Sequence, residues 1–500
     1  MGRGHPQRWN PPVNAAPDTP ALAELRQRIE ASSLELIRFA WCDPHGVLRG
    51  KTLTRTAALK ALRQGVGMVS TLMLKDTSDR TAFKVFEPGL AQTLPGFGYA
   101  NNLVLRPIPE SFRVLPWATA TGWLQCQPEF ADGSVVHFDT RSQLQGALAR
   151  LAQRGLGMVC GLEIEFHIYR LRDAPHGAHL DPDQAAWPGL APEVSLIHPG
   201  YNLLSESWFD MAEEPLRIVQ HTAQALGMPL ASLEIELGPS QVEAVFDATD
   251  ALTAADNMVL FRSAVQQALR RAGYHATFMC RPPFEHIMSS GWHLHQSLVH
   301  LDSGRNAFMR EAPAPFSSTR EAGHTLSDVG CRYLAGLLHH AKGMTVMCTP
   351  TANGFGRFRP NALAPQSVVW GFDNRGAMLR VIGGAGDGAT RIENRLGEPT
   401  ANPYLYMASQ IHAGLSGVEQ ALNAPLATES PYAADGDPTL RIPTNLRDAL
   451  AALSADTAMT QGFGDDFIRY YSALKLPEQQ RFEQAEDPLE FQRREYFSRL

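Results

Sequence analysis

The 500-residue sequence has no apolar run that approaches the roughly 18 residues of a membrane-spanning helix. Residues 1–20 also lack the apolar core that a signal peptide requires. Lysine and arginine number 44 against 51 aspartates and glutamates, and they form no basic block. Such a charge distribution disfavours nucleic acid as a partner. We therefore expect a protein with neither a membrane nor a nucleic-acid partner.

Cysteine is also scarce. The sequence has six, without the CxxC spacing of a metal or redox motif, at positions 42, 126, 160, 280, 331 and 348. Six scattered cysteines in a chain of this length are typical of neither a disulfide framework nor a cysteine zinc site. The pattern therefore predicts a reduced protein of the cytoplasm.

The organisation along the chain predicts an α+β protein. Hydrophobic residues make up 44% of the sequence, enough for a large core. We expect a disordered, proline-rich tail over 1–24, a strand-rich N-terminal unit over 25–132 and a larger domain over 133–500. A short helix and a strand are predicted within 21–40, a hairpin at "WCDPHGVLRGK", and a helix at "TRSQLQGALARLAQRG" that stops at Gly155.

The stretch "GLEIEFHIYR", residues 161–170, places two acids in an otherwise apolar strand. Side chains two apart on a strand point to the same face, so Glu163 and Glu165 are predicted to lie side by side. Two carboxylates at that distance repel each other and lose hydration unless a positive charge lies between them. This strand therefore predicts a bound cation.

Three later segments repeat this arrangement. Polar side chains share strand faces in "EIELGPSQVE", "HLH" and "RIENR", at Glu234 with Glu236, His293 with His295, and Arg391 with Glu393 and Arg395. A Gly-Pro turn can fold Glu243 back beside Glu236. Carboxylates suit Mg²⁺ or Mn²⁺, an imidazole suits Mn²⁺ as well, and arginine forks bind phosphate.

Each segment alone has a plainer interpretation. A Glu-x-Glu strand is typical of the wet face of a sheet, and a His-x-His pair is commonly structural. An Arg-x-Glu-x-Arg strand commonly forms a surface ladder of ion pairs. The occurrence of all of them in strongly apolar strands is what predicts a metal and phosphate site.

Together, "GLEIEF", "ELGPSQVE", "SGWHLHQSL" and "RIENR" followed by "NPYLYMASQIHAGLSG" resemble the glutamine synthetase family, in the order that family uses. The resemblance spans roughly residues 25–500. It implies an N-terminal β-grasp domain and a catalytic domain whose antiparallel strands form an open, bifunnel barrel flanked by helices. It also implies a homo-oligomer, a dodecamer of two hexameric rings with active sites between subunits.

The resemblance implies a role for each matching residue. Two or more Mg²⁺ or Mn²⁺ ions are expected, the first held by Glu165, Glu236 and Glu243 and the second by Glu163, His293 and Glu393. Glu165 is also expected at the substrate, with Arg357 gripping the substrate carboxylate. The expected ATP-side residues are His295, Ser297, Arg380 and Arg391. Arg375 and Arg395 are expected to act on the transferring phosphoryl group.

The implied reaction has two steps. ATP phosphorylates the γ-carboxylate of glutamate, and an amine then attacks the resulting acyl phosphate to form an amide. The metals and the five arginines would neutralise the charge that builds on the phosphoryl group.

Two positions depart from the ammonia-using members. Leu363 stands where those members carry a flap glutamate. Val69 or Ser70 stands where they carry an aspartate, and Asp76 follows several residues too late. Because ammonium needs nearby anions to hold and deprotonate it, we expect an organic amine as acceptor. This resembles the γ-glutamylpolyamine and γ-glutamylamide synthetase branch, and leaves polyamine, monoamine and arylamine open.

A third departure lies before the histidine strand, where Met288 and Ser289 replace the Asn-Gly of ammonia-using members. It bears on how the main chain of glutamate is held. The alternatives at this point are an ammonia-dependent glutamine synthetase and a non-catalytic family member. An unrelated metal hydrolase would leave the arginines unexplained.

Overall fold

The computed structural model describes residues 19–172, 186–315, 318–359 and 363–500. Most of the predicted tail, residues 1–18, lies outside the described residues. The prediction is wrong for residues 20–24, because the first helix, α1, already begins at Pro20. The side chain of Thr19 caps this helix, and Leu22 is buried against the core, so the sequence from Thr19 onward has packing to hold it.

The N-terminal part of the chain builds a six-stranded sheet. Its strands follow the order β2-β1-β6-β4-β3, with β5 paired to β6. They are β1 Leu36–Cys42, β2 Leu48–Thr54, β3 Val66–Val69, β4 Asn102–Pro107, β5 Arg113–Val114 and β6 Thr121–Glu129. Strands β1 and β2 form the predicted hairpin, and β1 runs parallel to β6. The accompanying helices are α1 Pro20–Glu30, α2 Arg55–Gln64 and α3 Leu90–Thr93.

A nine-stranded sheet follows in the sequence. Its order is β13-β14-β15-β12-β7-β10-β9, with β8 and β11 also paired to β7. The strands are β7 Leu156–Leu171, β8 Val194–Leu196, β9 Leu230–Ile235, β10 Gln241–Asp250, β11 Tyr274–Thr277, β12 Trp292–His300, β13 Trp370–Phe372, β14 Leu379–Ile382 and β15 Arg391–Gly397. The two sheets fall within 25–132 and 133–500 respectively, and that domain division itself stays a prediction.

Helices pack around the larger sheet, which confirms the predicted α+β class. They are α4 Thr140–Ala152, α5 Glu206–Ala225, α6 Ala251–Arg271, α7 Asp328–His339, α8 Ala341–Cys348, α9 Pro403–Glu419, α10 Leu446–Ala455, α11 Thr457–Phe463, α12 Asp465–Glu483 and α13 Pro488–Gln492. Helix α9 is buried along almost its whole length. Within the described ranges, no helix has both the length and the apolar character that a membrane crossing requires.

Asn402 joins the two parts of the chain. It caps α9, accepting hydrogen bonds from the backbone N–H groups of Tyr404 and Leu405. Its amide nitrogen donates to the carbonyl of Asp43, at 3.1 Å, and to the hydroxyl of Thr140, at 3.2 Å. One buried side chain thus fixes α9 against the β1–β2 turn and the start of α4.

Replacing Asn402 with alanine should destabilise the protein by about 3 kcal/mol, because it removes a helix cap and leaves buried polar groups unpaired. Asn445, the half-buried cap of α10, offers a matched control whose alanine variant should lose only about 1 kcal/mol. Urea unfolding of both variants measures the difference. Equal losses would show that Asn402 acts as an ordinary cap.

Candidate active site

The register of four neighbouring strands brings the predicted polar residues together. Strands β10, β7, β12 and β15 lie side by side in that order. Their pairing sets three polar pairs directly opposite each other: Glu243 with Glu165, Glu163 with His293, and His295 with Glu393. Opposite residues on one sheet face are close enough for their side chains to meet. The acids and histidines therefore form one continuous polar face.

Glu163 lies at the centre of this face. Its Oε1 lies 2.9 Å from His295 Nε2, and its Oε2 lies 3.4 Å from His293 Nδ1. Two sets of ligand atoms lie within 4.8 Å of one another and could each hold a metal ion: Glu163, His295 and Glu393, and Glu163, Glu243 and His293.

The carboxylates at one end of the face carry strong mutual repulsion. Burial and the neighbouring Glu236 raise the pKa of Glu165 to about 7. Burial and Glu165 in turn raise the pKa of Glu243 to about 10. Glu243 Oε1 is buried without a hydrogen-bond partner among the described residues. An oxygen-rich, mutually repelling set with an unpartnered buried oxygen fits a hard divalent cation.

Glu163 and Glu393 have the opposite electrostatics. Burial acts to raise the pKa of Glu163, but hydrogen bonds with His293 and His295 outweigh it and lower the pKa. Burial likewise opposes ionisation of Glu393, and the Arg395 guanidinium outweighs it, so that this pKa is lowered too. Arg380 Nη1 donates to Glu393 Oε2 at 3.0 Å. These two acids are therefore ionised and oriented without a metal.

The ligand groups differ in part from the sets that the resemblance implies. Glu163 and Glu393 are grouped with His295, whereas His293 is grouped with Glu163 and Glu243. Glu236 lies one residue beyond the end of β9, where its carboxylate accepts a hydrogen bond from Leu237 N at 3.1 Å. The assignment of each ligand to a particular ion stays a prediction.

The arginines differ in how closely they join the site. Arg357 is buried, and its Nη1 donates to the carbonyls of Arg395 and Gly397, at 3.0 Å each. Burial lowers the pKa of Arg357. Arg391 Nε donates to His295 Nδ1 at 3.1 Å. Arg375, by contrast, lies on an exposed turn after β13.

A cavity of about 380 Å³ opens beside the ligand group of Glu163, His295 and Glu393. Glu163, His295, Ser297 and Arg391 line its polar side, and Phe246 contributes to its apolar side. Its volume is in the range of small-molecule pockets, about 300–1,000 Å³. Four of the residues predicted to bind metal or nucleotide thus share one cavity.

Gln241 is a site residue that the sequence interpretation missed. Its Nε2 donates to Glu165 Oε2 at 3.0 Å and to Ser290 Oγ at 3.0 Å. The backbone N–H of Gly291 donates to the same Glu165 oxygen at 2.9 Å. These donors hold Glu165 in place. The available signal was spacing, since Gln241 is two residues before Glu243 and shares its strand face.

The positions that depart from ammonia-using members carry no acid toward the site. Leu363 is 59% exposed with a left-handed backbone, φ 56°. Ser70 is buried and donates to Asn101 Oδ1 at 2.8 Å. Asp76 is buried and pairs with Arg481 at 2.7 Å, so it serves as a structural anchor.

Comparison with known proteins shows what the chain is similar to. The family model "Glutamine synthetase, catalytic domain" matches residues 137–494. The chain is 36% identical over 489 residues to gamma-glutamylanilide synthase of Acinetobacter sp., covering 94% of each. It is 29% identical over 483 residues to gamma-glutamylethanolamide synthetase of Streptomyces coelicolor, covering 95% and 96%. A solved structure titled "GmaS/ADP complex" superposes with a TM-score of 0.73 at 26% identity, covering 94% of this chain and 98% of that one.

Binding of Mg²⁺ should release protons, because Glu165 and Glu243 hold theirs up to about pH 7 and about pH 10 in the metal-free protein. Carboxylates with raised pKa values favour folding below their unfolded pKa and lose that contribution as pH rises through the folded one. The metal-free protein should therefore lose stability over this range, while Mg²⁺ affinity increases. Calorimetric titration in two buffers of different ionisation enthalpy measures the released protons. An identical binding enthalpy in both buffers would contradict this account.

Replacing Glu243 with glutamine should weaken Mg²⁺ binding by at least about tenfold, the size of effect seen even for residues behind a metal ligand. The matched control is Glu234→Gln on β9, whose carboxylate lies opposite Glu243 and already accepts a hydrogen bond from Ser232. Melting temperature as a function of Mg²⁺ concentration reports both. Similar losses in the two variants would remove Glu243 from the ligand set.

Proposed function

Because the chain belongs to the glutamine synthetase family, we propose that its metal-binding face activates glutamate with ATP for transfer to an organic amine. The protein is an ATP-dependent ligase that forms a γ-glutamyl amide. The observation that supports this function best is which residues the site has and which it lacks. The acids, histidines and arginines for phosphoryl transfer are present, while neither predicted ammonium-holding position offers an acid to it.

Two divalent cations are proposed to lie on the polar face. Glu165, Glu236 and Glu243 would hold one, and Glu163, Glu393 and a histidine the other, with His293 favoured by the resemblance and His295 by proximity. When bound, Mg²⁺ or Mn²⁺ supplies positive charge that withdraws electrons from the transferring phosphoryl group. The carboxylates of Glu165 and Glu243 must lose their protons for this, which ties activity to pH.

The arginines are proposed to hold the reacting anions. Arg357, fixed by two backbone carbonyls, directs its remaining N–H groups toward the substrate carboxylate. Arg380 and Arg395 are oriented by the buried carboxylate of Glu393. Arg391 lines the cavity with His295 and Ser297 on the proposed ATP side. Arg375 lies on an exposed turn, and we propose that it moves to contact the phosphates when ATP is bound. Preorganised cations of this kind stabilise the transition state for phosphoryl transfer.

In the proposed reaction, a γ-carboxylate oxygen of glutamate attacks the terminal phosphorus of ATP, giving γ-glutamyl phosphate and ADP. The nitrogen of a neutral amine attacks the activated carbon, the carbon–oxygen bond to phosphate breaks, and the amine loses a proton. An exposed Leu363 in place of a carboxylate would contact an alkyl or aryl group of the amine. Bound ammonium would lack a counter-ion there.

Assembly is proposed from the family resemblance. A dodecamer of two stacked hexameric rings, with active sites between subunits, would bring the β3 end of one N-terminal sheet to a neighbouring site. Val69 is partly exposed at that end and presents an apolar side chain. This arrangement is consistent with an apolar rather than an ammonium-binding acceptor site.

The purified protein should release phosphate from ATP in the presence of Mg²⁺, glutamate and an organic amine. The panel would include ammonium, ethylamine, ethanolamine, aniline, putrescine and spermidine, with mass spectrometry of the product. We expect kcat/KM for the best organic amine to exceed that for ammonium by more than about tenfold, an apparent difference of more than 1.4 kcal/mol. The Glu243→Gln variant serves as the control and should lose turnover with every acceptor. Ammonium as the best acceptor would make the protein a glutamine synthetase, and no turnover at all would favour a non-catalytic member.

A further inference from the structure

Two arginines at the rim of the site, Arg281 and Arg359, have no acidic partner among the residues that the structure describes. Arg281 is half-buried, and its Nη1 donates only to the carbonyl of Ile287, at 2.9 Å, and to Ser289 Oγ, at 3.3 Å. Burial and the nearby Arg359 guanidinium both lower the pKa of Arg281. Two cations therefore lie close together without an anion between them.

Asn353 holds this arrangement together. The backbone N–H of Arg281 donates to Asn353 Oδ1 at 2.8 Å, and Asn353 Nδ2 donates to the carbonyl of Arg281 at 2.9 Å. Asn353 leads directly into the short helix that contains Gly356 and Arg357. The segment carrying Arg281 is thus fixed to the segment carrying Arg359.

Gly356 lies between the side chains of Arg281 and Arg359. A Cβ placed on it would lie 3.8 Å from Arg281 Cδ and 3.9 Å from Arg359 Nη2. Both arginines therefore border one small region of space. Glycine keeps that region free of a side chain, so a ligand group can approach both guanidinium groups.

The space between the two arginines lies beside the metal-binding face. Ser289, which accepts from Arg281, also accepts through its carbonyl from Gln241 Nε2 at 3.3 Å. The same Gln241 nitrogen donates to Glu165 Oε2 at 3.0 Å. On the other side, Arg359 is two residues from Arg357, the proposed clamp for the substrate carboxylate. The arginine pair is therefore one side chain away from the metal-binding face.

We propose that Arg281, Arg359 and the Ser289 hydroxyl form a second carboxylate-binding subsite, one that rests on the proposed ligase function. Arginine forks match the two oxygens of a carboxylate, and an anion between two guanidinium groups relieves their repulsion. The carboxylate has two sources. It belongs either to the α-carboxylate of glutamate or to an acceptor amine that itself carries a carboxylate.

A purely structural role explains the pair less well. Buried or half-buried arginines that stabilise a fold normally face acids, because an unpaired buried charge is costly. Arg141 pairs with Asp256 and Arg481 with Asp76 in this way, whereas the buried Arg262 is held by the carbonyls of Pro399, Ala401 and Gly46. Half-buried Arg281 has neither an acid nor a set of three carbonyls: its Nη1 has one carbonyl and one hydroxyl, and the exposed Arg359 lies beside it.

The test uses Arg359→Gln, because Arg359 is exposed and its loss should leave the fold intact. Arg447→Gln, at an exposed position of α10 where the arginine pairs with Glu483, is the matched control and should leave activity unchanged. Kinetics would be compared for glutamate and for two acceptors of nearly equal shape, propylamine and β-alanine. The second carries a carboxylate where the first carries a methyl group.

Two results would support the subsite and identify the source of the carboxylate. If glutamate supplies it, Arg359→Gln should raise the KM for glutamate about tenfold with either acceptor, as expected for loss of one charged hydrogen bond. If the acceptor supplies it, the ratio of kcat/KM for β-alanine to that for propylamine should fall about tenfold. Unchanged values for both substrates would overturn the proposal, as would an equal loss in Arg447→Gln.

Direct binding separates failure of this subsite from failure of the ligase function. Glutamate and β-alanine would each be titrated by calorimetry into the intact protein with Mg²⁺ and ADP. A tenfold weaker affinity of Arg359→Gln for either compound supports the subsite even without turnover. Equal affinities of wild type and variant for both compounds would sink it, whatever the enzyme does with ATP.

Discussion

Repulsion between carboxylates fixed on adjacent strands is the constraint around which the larger sheet is arranged. Opposite positions in a sheet are only about 5 Å apart, so the strand pairing itself forces Glu243 against Glu165. At that separation two buried negative charges repel by several kcal/mol, on the order of 3 even at an effective dielectric constant of 20. The metal-free protein responds by keeping protons on these acids. A divalent cation makes the same crowding favourable.

The residues around these carboxylates compensate for the repulsion in two different ways. At one end, Gln241 and the N–H of Gly291 orient Glu165 with neutral donors, which leaves its charge for a metal. At the other end, Arg380 and Arg395 neutralise Glu393 outright. One side of the face is therefore ready to receive cations, and the other is ready to present arginines to an anion. Phosphoryl transfer from ATP requires both within a few ångströms.

Local pattern predicts much of this arrangement. Alternation along a strand is enough to place Glu163 with Glu165, or His293 with His295, and residue preference is enough to make Asn402 a helix cap. Register between strands is a tertiary property and has no local signal. A shift in pairing between Trp292 and Leu294 sets His295 opposite Glu393, where the register of Trp292 with Gly397 would have set Gln296.

Tertiary contacts also decide the role of single charges. Asp76 was counted as an acid displaced from an ammonium site, yet Arg481, more than 400 residues later, holds it as a buried anchor. Arg281 and Arg359 look unrelated in the sequence. They meet because Asn353, which leads into the short helix before Arg359, binds the backbone of Arg281. Pairings across such separations depend on the whole fold, so no window of sequence could have revealed them.

Two features of the site both disfavour a cationic acceptor: the Arg281–Arg359 pair, and the lack of an acid at Leu363 and Ser70. A cationic amine near the Arg281–Arg359 pair would meet repulsion of about 2 kcal/mol at 8 Å and an effective dielectric constant of 20. Ammonium and polyamines are cations at neutral pH and would find no carboxylate at Leu363 or Ser70 to offset this cost. Arylamines are uncharged there, and amines with a carboxylate bring their own negative charge. If the pair holds the acceptor rather than the α-carboxylate of glutamate, the electrostatics of the rim therefore favour neutral or carboxylate-bearing amines over polyamines.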